Sequence, residues 1–223
     1  MLRLSKENMI ETSIKSIEKI YDNISQKEDL DLNKINIEKT VLVIVDMING
    51  FVRCGALKSE RIEDIIQGIV KVQKHFKENG GKIISFIDSH SENAKEFSSY
   101  PPHCIKGSGE DEVLSEIKQV GGYLEINKNS TNGFVEKEFK HFLDENQSIT
   151  DFIVVGCCTD ICVMQFVTTL KNYFNSENKH VNIIVPINCV ETFDLDFHSG
   201  DMIDLLSLQL MEWAGAKIVS SIK

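Results

Sequence analysis

Residues 152–163 read FIVVGCCTDICV, and the change of pattern inside this short stretch decides the fold. Phe152 to Val155 is an unbroken aromatic and β-branched run, the composition of a strand covered on both faces. Gly156 ends the run. Val163, Phe166, Val167, Leu170 and Phe174 then recur at helical spacing and form one apolar stripe on a helix expected over 160–174. Thr159 or Asp160 is expected to cap that helix, which puts Cys162 in its first turn. There the positive end of the helix, and any neighbouring cation, favour a thiolate. The amides of a first turn lack intrahelical partners, so they can also receive an oxyanion.

The same strand-to-helix change recurs outward in both directions. Apolar runs at 40–46, 82–87, 122–126, 152–156, 181–185 and 216–219 read as buried strands. Helical patterns lie between or after them at 60–78, 110–119, 134–144, 160–174 and 200–213. Alternation of this kind predicts an α/β fold: a doubly wound, six-stranded, mainly parallel sheet with helices on both faces. Functional residues in such sheets gather at the carboxyl ends of the strands.

The chain of 223 residues carries a formal net charge of −10 and no basic block, which argues against a nucleic-acid or anionic-membrane partner. No apolar run is long enough to span a bilayer. Charges at Arg3, Lys6, Glu7, Glu11, Lys15, Glu18 and Lys19 break up residues 1–25, so no export signal is read there. The six cysteines are therefore expected as free thiols in a reducing cytoplasm, with Cys54, Cys157 and Cys189 packed as small hydrophobes. Ile10, Ile14, Ile17, Tyr21 and Ile24 predict a helix over 5–25, followed by a polar linker at 26–38. The chain thus divides into a helical extension and linker, 1–38, and a main domain, 39–223. The isoleucine stripe needs a surface to cover it, on the main domain or on a neighbouring subunit, and a homo-oligomer is expected.

Three strand ends carry ionisable groups. Asp46 closes the first apolar run, where a carboxylate needs either a partner or a task. Asp88 closes the second and is followed by His90, with Glu96 and His103 further along. These are donors suited to zinc, iron or manganese, although two surface histidines in a long loop are the commoner meaning of such a pattern. Lys128 follows the third strand, where a solvated turn lysine is again the ordinary reading. No histidine lies near Cys162 in sequence, but a cysteine–histidine pair formed in space stays open.

Taken together, these residues resemble the isochorismatase-like cysteine hydrolases, and within them the nicotinamidases. The match runs over roughly 39–220 and rests on three segments in order: Val45-Asp46-Met47-Ile48-Asn49-Gly50-Phe51, Lys128 with Asn132-Gly133-Phe134, and Gly156-Cys157-Cys158-Thr159-Asp160-Ile161-Cys162-Val163. The resemblance implies a small-amide hydrolase with Cys162 as nucleophile, Asp46 as proton carrier and Lys128 as the stabilising cation. It implies a cis peptide between Cys157 and Cys158, and an oxyanion hole from the Cys158 and Cys162 amides. It further implies one divalent metal, zinc first and iron or manganese next, on Asp88, His90, Glu96 and His103. In that branch the metal holds the pyridine nitrogen of the substrate. Phe51, Tyr100 and Cys157 are the implied pocket walls. Tyr100 stands where the branch usually has tryptophan, and Ile48 and Gly50 replace polar residues. A different small amide, or a binding protein on the same fold, are the rival expectations.

Overall fold

A computed structural model describes residues 5–223; residues 1–4 of the extension lie outside the described residues. Seven strands form one sheet: β1 Thr40–Val45, β2 Lys82–Asp88, β3 Leu124–Lys128, β4 Asp151–Cys157, β5 Asn182–Pro186, β6 Val190–Glu191 and β7 Lys217–Val219. Their order is β3-β2-β1-β4-β5-β7, with β6 paired to β4, and every pairing is parallel. The expected six strands are present, and the two-residue β6 is an addition too short to carry a pattern.

Seven helices connect or flank the strands: α1 Lys6–Ser25, α2 Asn49–Val52, α3 Ile66–Glu78, α4 Ser115–Val120, α5 Lys137–Glu145, α6 Met164–Ser176 and α7 Gly200–Trp213. The helix expected at 60–78 opens as a 3-10 turn, Glu60–Ile65, before α3. The one expected at 110–119 shrinks to α4. β1 shows why the fold needs both helical layers. Val41, Val43 and Val45 face Phe139, Phe166 and Leu170 on one side. Leu42 and Ile44 face Ile69, Phe76 and Ile117 on the other. Alternate residues of a strand point to opposite faces, so an all-apolar strand requires two cores.

The expected linker is not a free connection. Leu30 N donates to Ser221 O at 2.8 Å and Lys223 N to Leu30 O at 2.9 Å, so residues 28–32 lie parallel to the C-terminal stretch. α1 docks through its C-terminal half only. Ile24 is buried, and Asn23 donates to Gln209 Oε1 on α7 at 2.9 Å. Ile10, Ile14 and Tyr21 remain 47, 53 and 62% exposed. Among the described residues no helix is long and apolar enough to cross a membrane.

Candidate active site

The strand order places the ionisable strand ends side by side. Lys128 and Asp88 end β3 and β2, and Asp46 and the turn bearing Cys162 follow β1 and β4. The reversal of chain order between β1 and β4 is the switch point where ligands of open α/β sheets bind. Two backbone features shape it. Asp46 adopts φ 52°, a left-handed conformation uncommon for a non-glycine residue, while its amide donates to Phe86 O at 3.1 Å. Gly156 sits at φ 116°, where a Cβ would lie 2.0 Å from the Val45 carbonyl oxygen, so only glycine lets β4 approach β1 here. The Cys157–Cys158 peptide is cis.

Lys128 is the electrostatic centre. Its Nζ lies 2.9 Å from Asp46 Oδ2, 3.0 Å from Asp88 Oδ1 and 3.8 Å from Cys162 Sγ, all buried. Burial alone would drive the lysine toward neutrality, but the charges of Asp46 and Asp88 beside it outweigh burial, and the group stays a cation. Asp46 is held by charge rather than by aligned hydrogen bonds: neither carboxylate oxygen has a well-directed donor. Burial pushes its pKa up to about 6, against the pull of Lys128. Burial likewise pushes the Cys162 thiol well above its ordinary value, and Lys128 offsets only part of this. Burial thus opposes the preformed thiolate expected from the helix terminus and cation. In its ionised form Asp46 can take the proton of the Cys162 thiol.

The capping expectation is also corrected. Residues Thr159–Val163 form a π-type turn ahead of α6. Thr159 Oγ1 is buried without a partner. Asp160 instead accepts from Thr192 Oγ1 at 2.6 Å and faces His198 Nε2 at 3.0 Å. The Cys158 carbonyl accepts from the Ile161 and Val163 amides at 3.1 and 3.2 Å, and the Cys162 amide between them makes no bond to it. That leaves the Cys162 amide for another acceptor.

Asp88, His90, Glu96 and His103 each bring a donor atom within 4.8 Å of the others. The loop holding them is stapled by a bridge between His90 and Ile105, with His90 N donating to Cys104 O at 2.9 Å. His90 Nδ1 lies 3.1 Å from Asn129 Oδ1, and His103 Nδ1 lies 2.8 Å from the Pro101 carbonyl. A carbonyl oxygen accepts only, so each Nδ1 carries a proton, and each Nε2 points inward, where the neutral ring offers a lone pair. Those Nε2 atoms face Asp88 oxygens at 3.0 and 3.1 Å, and His90 Nε2 has no aligned hydrogen bond. Two Nε2 atoms facing carboxylate oxygens in a buried site require positive charge between them, either a proton on each ring or a metal ion. Glu96 Oε1 stands 3.8 and 4.0 Å from the two Nε2 atoms, while its Oε2 accepts from the Thr131 amide. The four donors fit a divalent metal.

A cavity of about 150 Å³ opens onto Cys158, Cys162, Asp88, Glu96 and His103, with Phe51 and Tyr100 as walls. Both rings also pack toward His103, with centroids 6.0 and 6.2 Å away. Cys157 is not a wall: it is fully buried, and its thiol donates to the Asp46 carbonyl at 3.3 Å. Cys54, expected in the core, is exposed, whereas Cys104 and Cys189 are buried. Gly50 is explained by Cys104, whose Sγ would stand 2.6 Å from a Cβ at that position. Ala56, Leu57, Lys58, Thr131, Ile161, Phe193, Asp194 and Leu195 complete the cavity lining without having been expected. Thr131 follows Lys128 closely enough to be suspected, but Phe193 and Leu195 lie in a segment without periodicity.

The isochorismatase domain profile matches residues 40–221. Nicotinamidase 1 from Arabidopsis thaliana is 29% identical over 242 residues, covering 92% of this chain and 97% of that protein. The crystal structure of nicotinamidase PncA from Bacillus subtilis superposes with a TM-score of 0.66 at 26% identity, over 82% of this chain and 99% of its own. That of N-carbamoylsarcosine amidase from Thermoplasma acidophilum gives 0.67 at 25% identity, over 82 and 96%. With the profile spanning nearly all of the sheet and every residue of the site just described, the chain belongs to the isochorismatase family.

Proposed function

We propose that this protein is a cysteine amidohydrolase of the nicotinamidase type, converting nicotinamide and water to nicotinate and ammonia. The observation that carries the reading is one cavity lined both by Cys162, which Lys128 and Asp46 back from behind, and by Asp88, Glu96 and His103 of the four-donor metal set. A cavity of about 150 Å³ is well below the roughly 300–1,000 Å³ of sites for drug-sized ligands, which limits the substrate to a small molecule. Its apolar walls suit a flat ring.

Asp46 accepts the Cys162 proton as sulfur attacks the carboxamide carbon. The oxyanion that forms is received by the Cys158 and Cys162 amides, with Lys128 as the nearest cation. Protonated Asp46 then gives its proton to the departing nitrogen, the C–N bond breaks, and ammonia leaves a thioester on Cys162. Water enters, Asp46 takes a proton from it, and hydroxide adds to the thioester carbon. The C–S bond breaks, the sulfur recovers its proton, and the carboxylic acid product departs. Asp88, His90, Glu96 and His103 would hold zinc, with iron or manganese suited to the same donors. When bound, that ion supplies a Lewis-acidic anchor for the pyridine nitrogen.

Lys58 at the cavity lining favours a second reading, an N-carbamoyl amide bearing a carboxylate, in keeping with the structural likeness to N-carbamoylsarcosine amidase. One assay separates the two: ammonia release from nicotinamide, pyrazinamide and N-carbamoyl amino acids, with metal content measured on the same sample. Nicotinamide turnover that follows metal content is the expected result. Turnover of carbamoyl compounds alone selects the second reading.

A further inference from the structure

One wall of the cavity has no regular secondary structure to hold it. Phe193, Asp194 and Leu195 line the cavity from the segment joining β6 to α7. That segment is fixed by a closed set of polar contacts ending on the nucleophile's own turn. Thr192 Oγ1 donates to Asp160 Oδ1 at 2.6 Å, and His198 Nε2 lies 3.0 Å from Asp160 Oδ2. His198 Nδ1 lies 2.9 Å from the Phe193 carbonyl. Backbone bonds between Leu195 and His198, 3.0 and 2.6 Å, close the loop on itself. The imidazole and the Phe193 ring lie face to face, with centroids 4.0 Å apart and planes 4° from parallel.

The two partners of the imidazole are a carboxylate and a carbonyl, and both accept only. A neutral imidazole has one N–H and can satisfy just one of them. Both contacts are made as hydrogen bonds only when both ring nitrogens carry protons, and a face-on aromatic neighbour suits that cation as well. We propose that His198 is a positioning residue of the substrate pocket, a doubly protonated imidazolium that ties the Phe193 wall to the turn bearing Cys162. This rests on the proposed use of the cavity for amide hydrolysis.

The charges around the ring agree. Asp160 faces it from the nucleophile turn and Asp194 from its own loop. Arg61, on the 3-10 turn before α3, is the nearby cation, and it is already paired with Glu191 of β6, Asp194, and Asp201 and Asp204 of α7. Burial pushes the imidazole pKa down, but the Asp160 hydrogen bond and the Phe193 carbonyl outweigh it, so the ring titrates above the ordinary 6.5. Loss of that proton releases either the Phe193 carbonyl or Asp160. The wall then loosens, and substrate affinity falls as pH rises through the titration, while the Cys162–Lys128–Asp46 cluster stays in place.

The test compares wild type with His198→Gln, which removes the charge and the flat ring. The expected variant shows a nicotinamide KM raised about tenfold, the worth of one charge-assisted hydrogen bond, with kcat close to wild type. Its KM no longer climbs with alkaline pH, as the wild-type KM does. Alkylation of Cys162 by iodoacetamide, which needs no pocket wall, keeps its wild-type rate and reports an intact fold. Nitrogen-15 spectra of wild type labelled at histidine should show both His198 ring nitrogens protonated at neutral pH. A ring with one N–H under those conditions overturns the proposal. So does a variant whose KM and pH profile match wild type, or one that loses kcat at unchanged KM. Should wild type fail to hydrolyse nicotinamide, the substrate reading falls, and the spectra still decide the state of His198.

Discussion

The cavity has two polar regions built by opposite means. Asp46, Lys128 and Cys162 stand on strand ends or on the turn that follows one, locked by the register of β1 to β4. His90, Glu96 and His103 hang on a long loop, held by the His90–Ile105 bridge and by side-chain contacts to Asn129, Thr131 and Pro101. The contrast separates two tasks. Groups that exchange a proton must keep their spacing within a fraction of an ångström, and a parallel sheet supplies that rigidity. Groups that recognise a substrate can sit on loops, which vary without cost to the core. Asp88 belongs to both regions, since one oxygen contacts Lys128 at 3.0 Å and the other faces His103 at 3.1 Å.

The contrast can be broken most sharply at the sheet-built end. Cys162→Ala should lower nicotinamide turnover by roughly 10⁴-fold or more without lowering the melting temperature, whereas Cys189→Ala should leave kcat near wild type. Retained turnover in Cys162→Ala ends the thioester mechanism.

Asp46→Asn should cost on the order of 10²–10⁴ in kcat, the worth of a general acid–base. In wild type, kcat/KM should fall as pH drops through about 6, where Asp46 becomes protonated. Stability should respond in the opposite sense. Because the folded pKa lies above the ordinary 3.8, the folded state binds the proton more readily. This group's contribution therefore weakens as pH rises from about 4 to about 6. An acid limb that persists in Asp46→Asn assigns the titration to another group.

The loop-built end should respond through affinity instead. Asn129→Ala removes the acceptor that orients His90, and metal affinity should fall about 10–100-fold. The nicotinamide KM should rise with it, and Cys162 alkylation should be unaffected. Unchanged metal affinity separates Asn129 from the site.

The smallest effect concerns α1, whose two halves repeat the comparison in miniature. Residues 20–25, docked on α7, should exchange amide hydrogens slowly. Residues 6–14 should exchange fast unless the expected second copy covers Ile10 and Ile14. Ile14→Glu then distinguishes the cases: a concentration-dependent drop in mass accompanies it only when a partner is present.

What could be read from the sequence divides along the same line. Among the sheet-built residues Asp46 is marked by position, because a carboxylate closing a Val/Ile run needs a partner or a task, whereas Asp88 and Lys128, ordinary at a loop or turn, gain their roles from resemblance. Cys162 needed only a strand, a glycine and an apolar stripe. The loop residues had no such frame. His90 and His103 gained meaning from resemblance, and His198 was invisible because its partner Asp160 lies 38 positions away. Asp160 itself was misread as a cap, since local spacing favours the nearest amide and cannot register a distant imidazole. β6 escaped because two residues, Val190 and Glu191, hold no period.

The strip from Glu28 to Leu32 bears on how the molecule is made. Leu30 pairs with Ile222, 192 positions later (222 − 30). Closing so long a loop comes late in folding, because its entropy is lost before any distant contact compensates. The residues that leave the ribosome among the first are therefore fixed among the last. Until α7 has been synthesised, α1 has no seat and Ile24 stays open to other chains. Nascent chains shortened at the C-terminal side should show this as crosslinking at Ile24 to foreign protein, ending when α7 is restored.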